Sequence, residues 1–366
     1  MKILIFTNKF EYLKRKKNFI NKLIENGFEV LVLATNDKYS EQVKSFGCKI
    51  LNIGISRKGK NPFYEIILLA KLFFILFKIK PNLILNFTIK PVIYGSIVAS
   101  FLNIRVINTM TGLGTYFFDK NFFNKFFIVL FKFSQRNSDI IYSQNKDDEK
   151  FLKNLNLKKT KILYNPGSGV DLKYFKETNY PKENTNFLLV SRMLWNKGIK
   201  EYVEAAKIIK KKNSKINFQL AGPIDTENEF SIPAEQIKIW ANEGCIKYLG
   251  EVQNIAQYIS ESSCLVLPSY REGLPRSLLE GAAMSRPIIA TDVPGCRDIV
   301  KDSSNGFLCK TQDVDSLVNV LNKFISLSFE KKVDMGKKGR ITVEKEFNED
   351  FVYNNYLDQI KKISRT

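Results

Sequence analysis

The stretch NPGSGVDLKYFKETNYPKENTNFLLVS, residues 165–191, breaks one pattern and begins it again. Upstream, short apolar runs rich in Ile, Leu and Val recur: KILIF (2–6), EVLVLAT (29–35), KILNI (49–53), LILNF (83–87), RVINT (105–109), DIIYS (139–143) and KILY (161–164). Helix-length segments separate most of them, which is the signature of βαβ units and a parallel, doubly wound sheet. Pro, Gly, Asn and Lys then crowd the stretch up to Thr185, so it reads as an interdomain linker. Downstream the alternation resumes with NFLLVS (186–191), INFQLAG (216–222), IKYLG (246–250), CLVLP (264–268), PIIAT (287–291) and GFLC (306–309). The expected architecture is α/β, with two Rossmann-like domains at 1–167 and 168–347. A final helix over about 348–366 has no packing partner fixed by its sequence; it could pack anywhere, and a return to the first domain is one placement. Ligands of open α/β sheets sit at the carboxyl ends of strands. Two such domains facing across a cleft would place function in the residues that follow strands.

Composition narrows the chemistry. The 366 residues contain no histidine, which removes the commonest general base, the commonest metal ligand and every Ser-His or Cys-His pair. Cys48, Cys245, Cys264, Cys296 and Cys309 are scattered and lack C-x-x-C spacing, arguing against a disulfide framework or a zinc site. Only four apolar residues follow Lys2, far short of a secretory core segment, so a cytoplasmic location is expected. The net charge of +20 is lopsided: residues 1–167 hold 28 Lys and Arg against 11 Asp and Glu, leaving 29 against 26 for the remainder. A one-sided basic surface attracts nucleic acid, anionic lipid or a phosphorylated substrate.

Two constellations follow strands in the second half. In REGLPRSLLE (271–280), Glu272 and Glu280 look at first like an acid and base pair. Pro275 suits a helical first turn, however, so a helix from about 275 to about 285 puts Glu272 on the preceding loop and Glu280 in the second turn. The pair is thereby separated. The amides from Gly273 to Ser277 then form a helix N-terminus suited to phosphate, with carboxylates nearby to meet hydroxyls. In SRMLWNKG (191–198), Arg192 and Lys197 project from the carboxyl end of a central strand, where cations can stabilise a departing diphosphate. Together they describe a site for a nucleotide sugar.

The ordered set SGVD (168–171), SRMLWNKG (191–198), LVLPSYREGLPRSLLE (265–280) and RPIIATDVPGCRDIV (286–300) resembles the family-four retaining glycosyltransferases of the GT-B fold, whose hallmark is E-x7-E. That resemblance implies that Arg192 and Lys197 contact the donor diphosphate, Glu272 the transferred sugar and Glu280 the ribose. It further implies donor contacts at Gly273, Leu274, Ser277 and Leu278, and places Gly222 and Gly250 near the nucleoside. NFTIKPVIYGS (86–96) and MTGLGTYF (110–117) are similar to acceptor-side loops of the subgroup that extends sugars on polyprenyl diphosphates. Thr88, Lys90, Gly112 and Gly114 are the acceptor-side candidates. The implied reaction moves a hexose or N-acetylhexosamine from a UDP-sugar to a polyprenyl-diphosphate-linked saccharide, with retention and with no metal or other cofactor.

FYEIILLAKLFFILFKIK (63–80) and FFNKFFIVLFKFSQR (122–136) mix aromatic and aliphatic residues with regularly placed Lys. Each falls short of an uninterrupted apolar span, so neither is expected to cross a bilayer. Both suit a membrane interface, where Lys snorkels toward anionic lipid; core packing against a sheet is the competing reading. The enzyme is therefore expected as a peripheral protein on the inner face of the cell membrane, with no nucleic-acid partner. A basic membrane- or nucleic-acid-binding module of the same fold, without transferase activity, is the alternative.

Overall fold

The computed structural model describes residues 1–55, 62–113, 117, 122–182 and 185–365. The chain divides into two compact units, one formed by Met1–Asn165 with Tyr353–Thr366 and the other by Pro166–Val352.

In the first unit the strands are β1 (Lys2–Lys9), β2 (Glu29–Thr35), β3 (Lys49–Asn52), β4 (Leu83–Phe87), β5 (Arg105–Met110), β6 (Ile140–Ser143) and β7 (Lys161–Tyr164). Among the described residues they form one parallel sheet in the order β3-β2-β1-β4-β5-β6-β7. The helices are α1 (Lys17–Glu25), α2 (Ser40–Lys44), α3 (Pro62–Ile79), α4 (Ile89–Phe101), α5 (Phe122–Gln135) and α6 (Lys146–Asn154). Strand residues such as Leu4, Ile5, Ile84 and Leu85 are fully buried, as a parallel sheet covered on both faces requires.

A polar network ties α4 and α5 to this sheet. Asn108 on β5 shares its two Nδ2 hydrogens among Ser96 Oγ (2.9 Å), Gln135 Oε1 (2.5 Å) and Ser138 Oγ (3.0 Å), and accepts from Asn86 Nδ2 at 2.9 Å. Gly95 leaves the room: a Cβ there would strike the Asn86 amide.

The second unit contains β8 (Asn186–Val190), β9 (Asn217–Ala221), β10 (Lys247–Tyr248), β11 (Cys264–Leu267), β12 (Ile288–Thr291) and β13 (Gly306–Cys309). They too are parallel, in the order β10-β9-β8-β11-β12-β13. The helices are α7 (Ile199–Lys212), α8 (Ala234–Asn242), α9 (Ile255–Glu261), α10 (Arg276–Ala283), α11 (Cys296–Ile299), α12 (Val314–Ile325) and α13 (Phe329–Glu346). The last helix, α14 (Glu349–Ser364), begins in this unit, and from Tyr353 onward it belongs to the first. There Tyr356 shares a 2.6 Å hydrogen bond with Thr109 and packs on Phe19, Phe87 and Tyr142, while Tyr142 donates to the Asn355 carbonyl.

The supposed linker differs from its composition. Val170 and Phe175 are buried in the core that also holds Leu267 and Leu278. Arg286, fully buried, donates to the Thr178 carbonyl and hydroxyl and to the Asn179 carbonyl, as well as to Ile259 and Ser260 carbonyls. Burial pulls its pKa down to about 10. Residues 166–182 are thus part of the second unit, fastened by one buried cation that lies far ahead in sequence.

Helix α3 packs on the sheet along one face and is exposed along the other. Leu68, Leu72 and Leu76, at i, i+4 spacing, pack on the sheet. Phe63, Tyr64, Ile66, Phe74 and Phe77 are exposed, as are Phe126, Val129 and Phe133 on α5. Among the described residues, no helix is long and apolar enough to cross a membrane.

Candidate active site

In each sheet the strand order reverses direction between the first and fourth strands, and that switch point is where open α/β sheets bind ligands. In the second unit it lies between β8 and β11, which are hydrogen-bonded neighbours. Arg192 and Lys197 follow β8, and Glu272 follows β11, so all three emerge from the carboxyl ends of adjacent strands.

The turns that present them are tight. Gly198 adopts φ +70°, and a Cβ there would strike the Pro268 carbonyl, so the loops after β8 and β11 pass at backbone contact. Tyr270 N–H donates to the Asn196 carbonyl at 3.0 Å and Ser269 Oγ donates to the same oxygen at 3.2 Å, locking the two loops together. Lys197 Nζ reaches Glu272 Oε1 at 2.6 Å, with the two side chains 19% and 11% exposed. Arg192 Nη1 meets Asp225 Oδ2 at 2.6 Å.

The REGLPRSLLE segment divides at Pro275, which precedes α10. Glu272 stays on the loop. Glu280 lies in the second turn with its side chain 3% exposed and Arg276 Nε at 3.7 Å. Ser277 sits in the first turn of α10, half-buried. Leu274 and Leu278 point into the core, so only their backbones remain for a ligand. Gly222 follows β9 at φ +140°, where a Cβ would collide with the Ser191 carbonyl, and its N–H donates to the Gly250 carbonyl at 2.8 Å. Gly250 has φ +69°. These two glycines therefore sit together beside the end of β8.

Three partners escaped the sequence reading. Asp225, in the loop after β9, had a signal in its position past a strand end. Tyr270 donates to Glu201 Oε1 at 2.7 Å, and burial first, then that carboxylate, pushes its pKa to about 12. Gly295, at φ +79°, lets the Val293–Cys296 turn touch the Glu272–Gly273 backbone. Cys296 beside it is buried, which drives its thiol well above the usual range, with the Glu272 carboxylate adding to the effect.

In the first unit, Thr88 and Lys90 follow β4, next to β1 at that sheet's own switch point. Thr88 adopts φ +72° and ψ 158°, a region that costs a β-branched residue about 1–3 kcal/mol. Its Oγ1 is buried without a hydrogen-bond partner. Lys90 Nζ lies 2.6 Å from Glu65 Oε1. Gly112, at φ +120°, follows β5; Gly114 lies outside the described residues.

Two doubly wound parallel sheets, the second with two cations and a carboxylate in the loops at its switch point, define an α/β protein of Rossmann-like architecture. Comparison with known proteins gives the family. The family described as Glycosyl transferases group 1 matches residues 171–342, and Glycosyl transferase 4-like matches residues 2–145. The chain is 30% identical over 315 residues, 79% of its length and 80% of the relative's, to N,N'-diacetylbacillosaminyl-diphospho-undecaprenol alpha-1,3-N-acetylgalactosaminyltransferase of Campylobacter jejuni. It is 26% identical, over 60% of each chain, to UDP-Gal:alpha-D-GlcNAc-diphosphoundecaprenol alpha-1,3-galactosyltransferase of Escherichia coli. Its fold matches Anabaena Alr3699/HepE, solved with UDP-glucose, with a TM-score of 0.80 at 15% identity over 99% of this chain and 100% of the other. The chain belongs to the group 1 glycosyltransferases, with the GT-B fold, and it is an enzyme of that class.

Proposed function

We propose that this enzyme transfers a sugar from a UDP-sugar to a polyprenyl-diphosphate-linked saccharide, with retention of anomeric configuration, at a membrane surface. The observation that carries the reading is the position of Arg192, Lys197 and Glu272 in the loops after the carboxyl ends of the adjacent strands β8 and β11, with Lys197 paired to Glu272. In this reading Arg192 and Lys197 neutralise the diphosphate as the glycosidic bond breaks, while the N-terminal amides of α10 add a fixed positive dipole. Glu272 accepts hydrogen bonds from sugar hydroxyls, and Glu280 from the ribose. Gly222 and Gly250 let the nucleoside approach the backbone. A chain without histidine has no imidazole base, so the leaving diphosphate takes the acceptor hydroxyl proton on the face from which it departs. Thr88, Lys90 and Gly112 serve the acceptor.

The exposed aromatic faces of α3 and α5 support the membrane setting. Their charged residues are Lys71, Lys78, Lys125 and Lys132 against Glu65, which is paired with Lys90.

The test is incubation with UDP-sugars and polyprenyl-diphosphate saccharides in the presence of chelator, with the new anomeric linkage read by NMR. An α-linked product from an α-linked donor is expected. An inverted product, or no stabilisation of the protein by UDP, would overturn the reading.

A further inference from the structure

At the amino ends of β5, β6 and β7 in the first unit, away from the loops that carry Thr88 and Gly112, lies a cavity of about 360 Å³. Arg105 opens β5, Lys161 opens β7, and Lys159 and Lys362 complete the basic lining. Asp139 is the one carboxylate among the described lining residues. It is already engaged: one oxygen meets Arg105 Nε at 2.8 Å, and the other accepts the Val106 N–H at 2.8 Å. Three lysines therefore line the space in excess of that ion pair.

Two exposed aromatic residues lie close in the chain to residues that line the cavity or bond to it. Asn137, which lines the cavity, donates to Ser100 Oγ at 2.6 Å, next to Phe101, whose side chain is exposed at the end of α4. On the same loop the Arg136 guanidinium lies 4.9 Å from the centre of the exposed Phe133 ring. The volume would hold on the order of ten waters, ample for a phosphate group and its ester oxygens.

We propose that this cavity is a binding site for the phosphate headgroup of an anionic phospholipid, with Lys159, Lys161 and Lys362 meeting the phosphate and Phe101 and Phe133 meeting acyl chains. A basic hollow alone would suit any phosphate; exposed Phe101 and Phe133, on the segments that lead to its lining residues, supply the apolar surface that the other half of a lipid requires. The inference rests on the membrane setting proposed above and adds a defined headgroup site to it.

The experiment is co-sedimentation of the full chain with phosphatidylcholine vesicles, with and without phosphatidylglycerol. The compared proteins are the wild type, the triple variant Lys159→Ala/Lys161→Ala/Lys362→Ala, the same triple to Arg, and a charge-matched triple Lys211→Ala/Lys212→Ala/Lys215→Ala on the second unit. The expected result is wild-type binding that needs phosphatidylglycerol and falls on the order of a hundredfold in the cavity variant. The Arg triple should bind as the wild type does, and the matched triple should lose less than about threefold. Equal binding by the cavity variant, or equal loss in the matched triple, overturns the site while leaving the membrane setting intact. Wild type that ignores every vesicle overturns both. Should inorganic phosphate raise the melting temperature of the wild type but not of the cavity variant, with vesicle binding unchanged between them, the ligand is a soluble anion and the lipid assignment falls.

Discussion

Lys197 Nζ lies 2.6 Å from Glu272 Oε1, joining the loops that follow two neighbouring strands. Under the proposed function, the carboxylate meets the donor sugar and the ammonium its phosphate. Glu272→Ala should abolish transfer with the fold intact. Lys197→Ala should lower kcat by about 10²–10³, the usual loss for removing one group that stabilises a developing anion. Steady-state kinetics, with circular dichroism as the check on folding, decides this; activity within tenfold of wild type in both variants would count against the site.

Arg192 is held by Asp225, so a diphosphate must compete for that guanidinium. Asp225→Asn weakens the competitor while keeping the shape, and should tighten UDP binding several-fold, by about 1 kcal/mol. Titration calorimetry reads this directly. Weaker binding would mean that Asp225 positions Arg192 instead of restraining it.

Gly295 and Gly244 form a matched pair. Both have positive φ, +79° and +71°, but a Cβ on Gly295 would meet the Gly273 carbonyl, whereas Gly244 faces open space. Alanine at either position should cost about 1–2 kcal/mol for the left-handed backbone. Only Gly295→Ala should also displace the Glu272–Gly273 peptide and cut kcat/KM at least about tenfold. Similar kinetics for the two variants would show that the turn does not bear on the site.

Arg286→Met should destabilise the second unit by about 3–5 kcal/mol, because several buried carbonyls lose their donor together. Urea unfolding should show the loss. Limited proteolysis should then cut first within residues 166–182, the segment this arginine fastens.

The strands were legible because each is a short apolar run bounded by polar or turn residues; each of the thirteen named stretches overlaps an observed strand. The start of α10 was legible because proline favours only a few places in a helix. Other features depend on partners distant in the chain. The stretch after Asn165 has the composition of a linker, and only Arg286, more than a hundred residues on, makes it part of a core. Helix α3 is apolar on nearly every side, so its pattern does not distinguish Leu72, which is buried, from Phe74, which is 69% exposed. Asp225 lacked any periodic neighbour, and its significance comes from Arg192 reaching it in space.

The return of α14 to the first unit bears on how the protein is made. Tyr356 closes over Phe19, Phe87 and Tyr142, residues translated long before it. The ribosome therefore synthesises all of the second unit while that aromatic surface waits for its cover. Chaperone contact during this interval, and aggregation of chains truncated before Tyr353, follow from the topology.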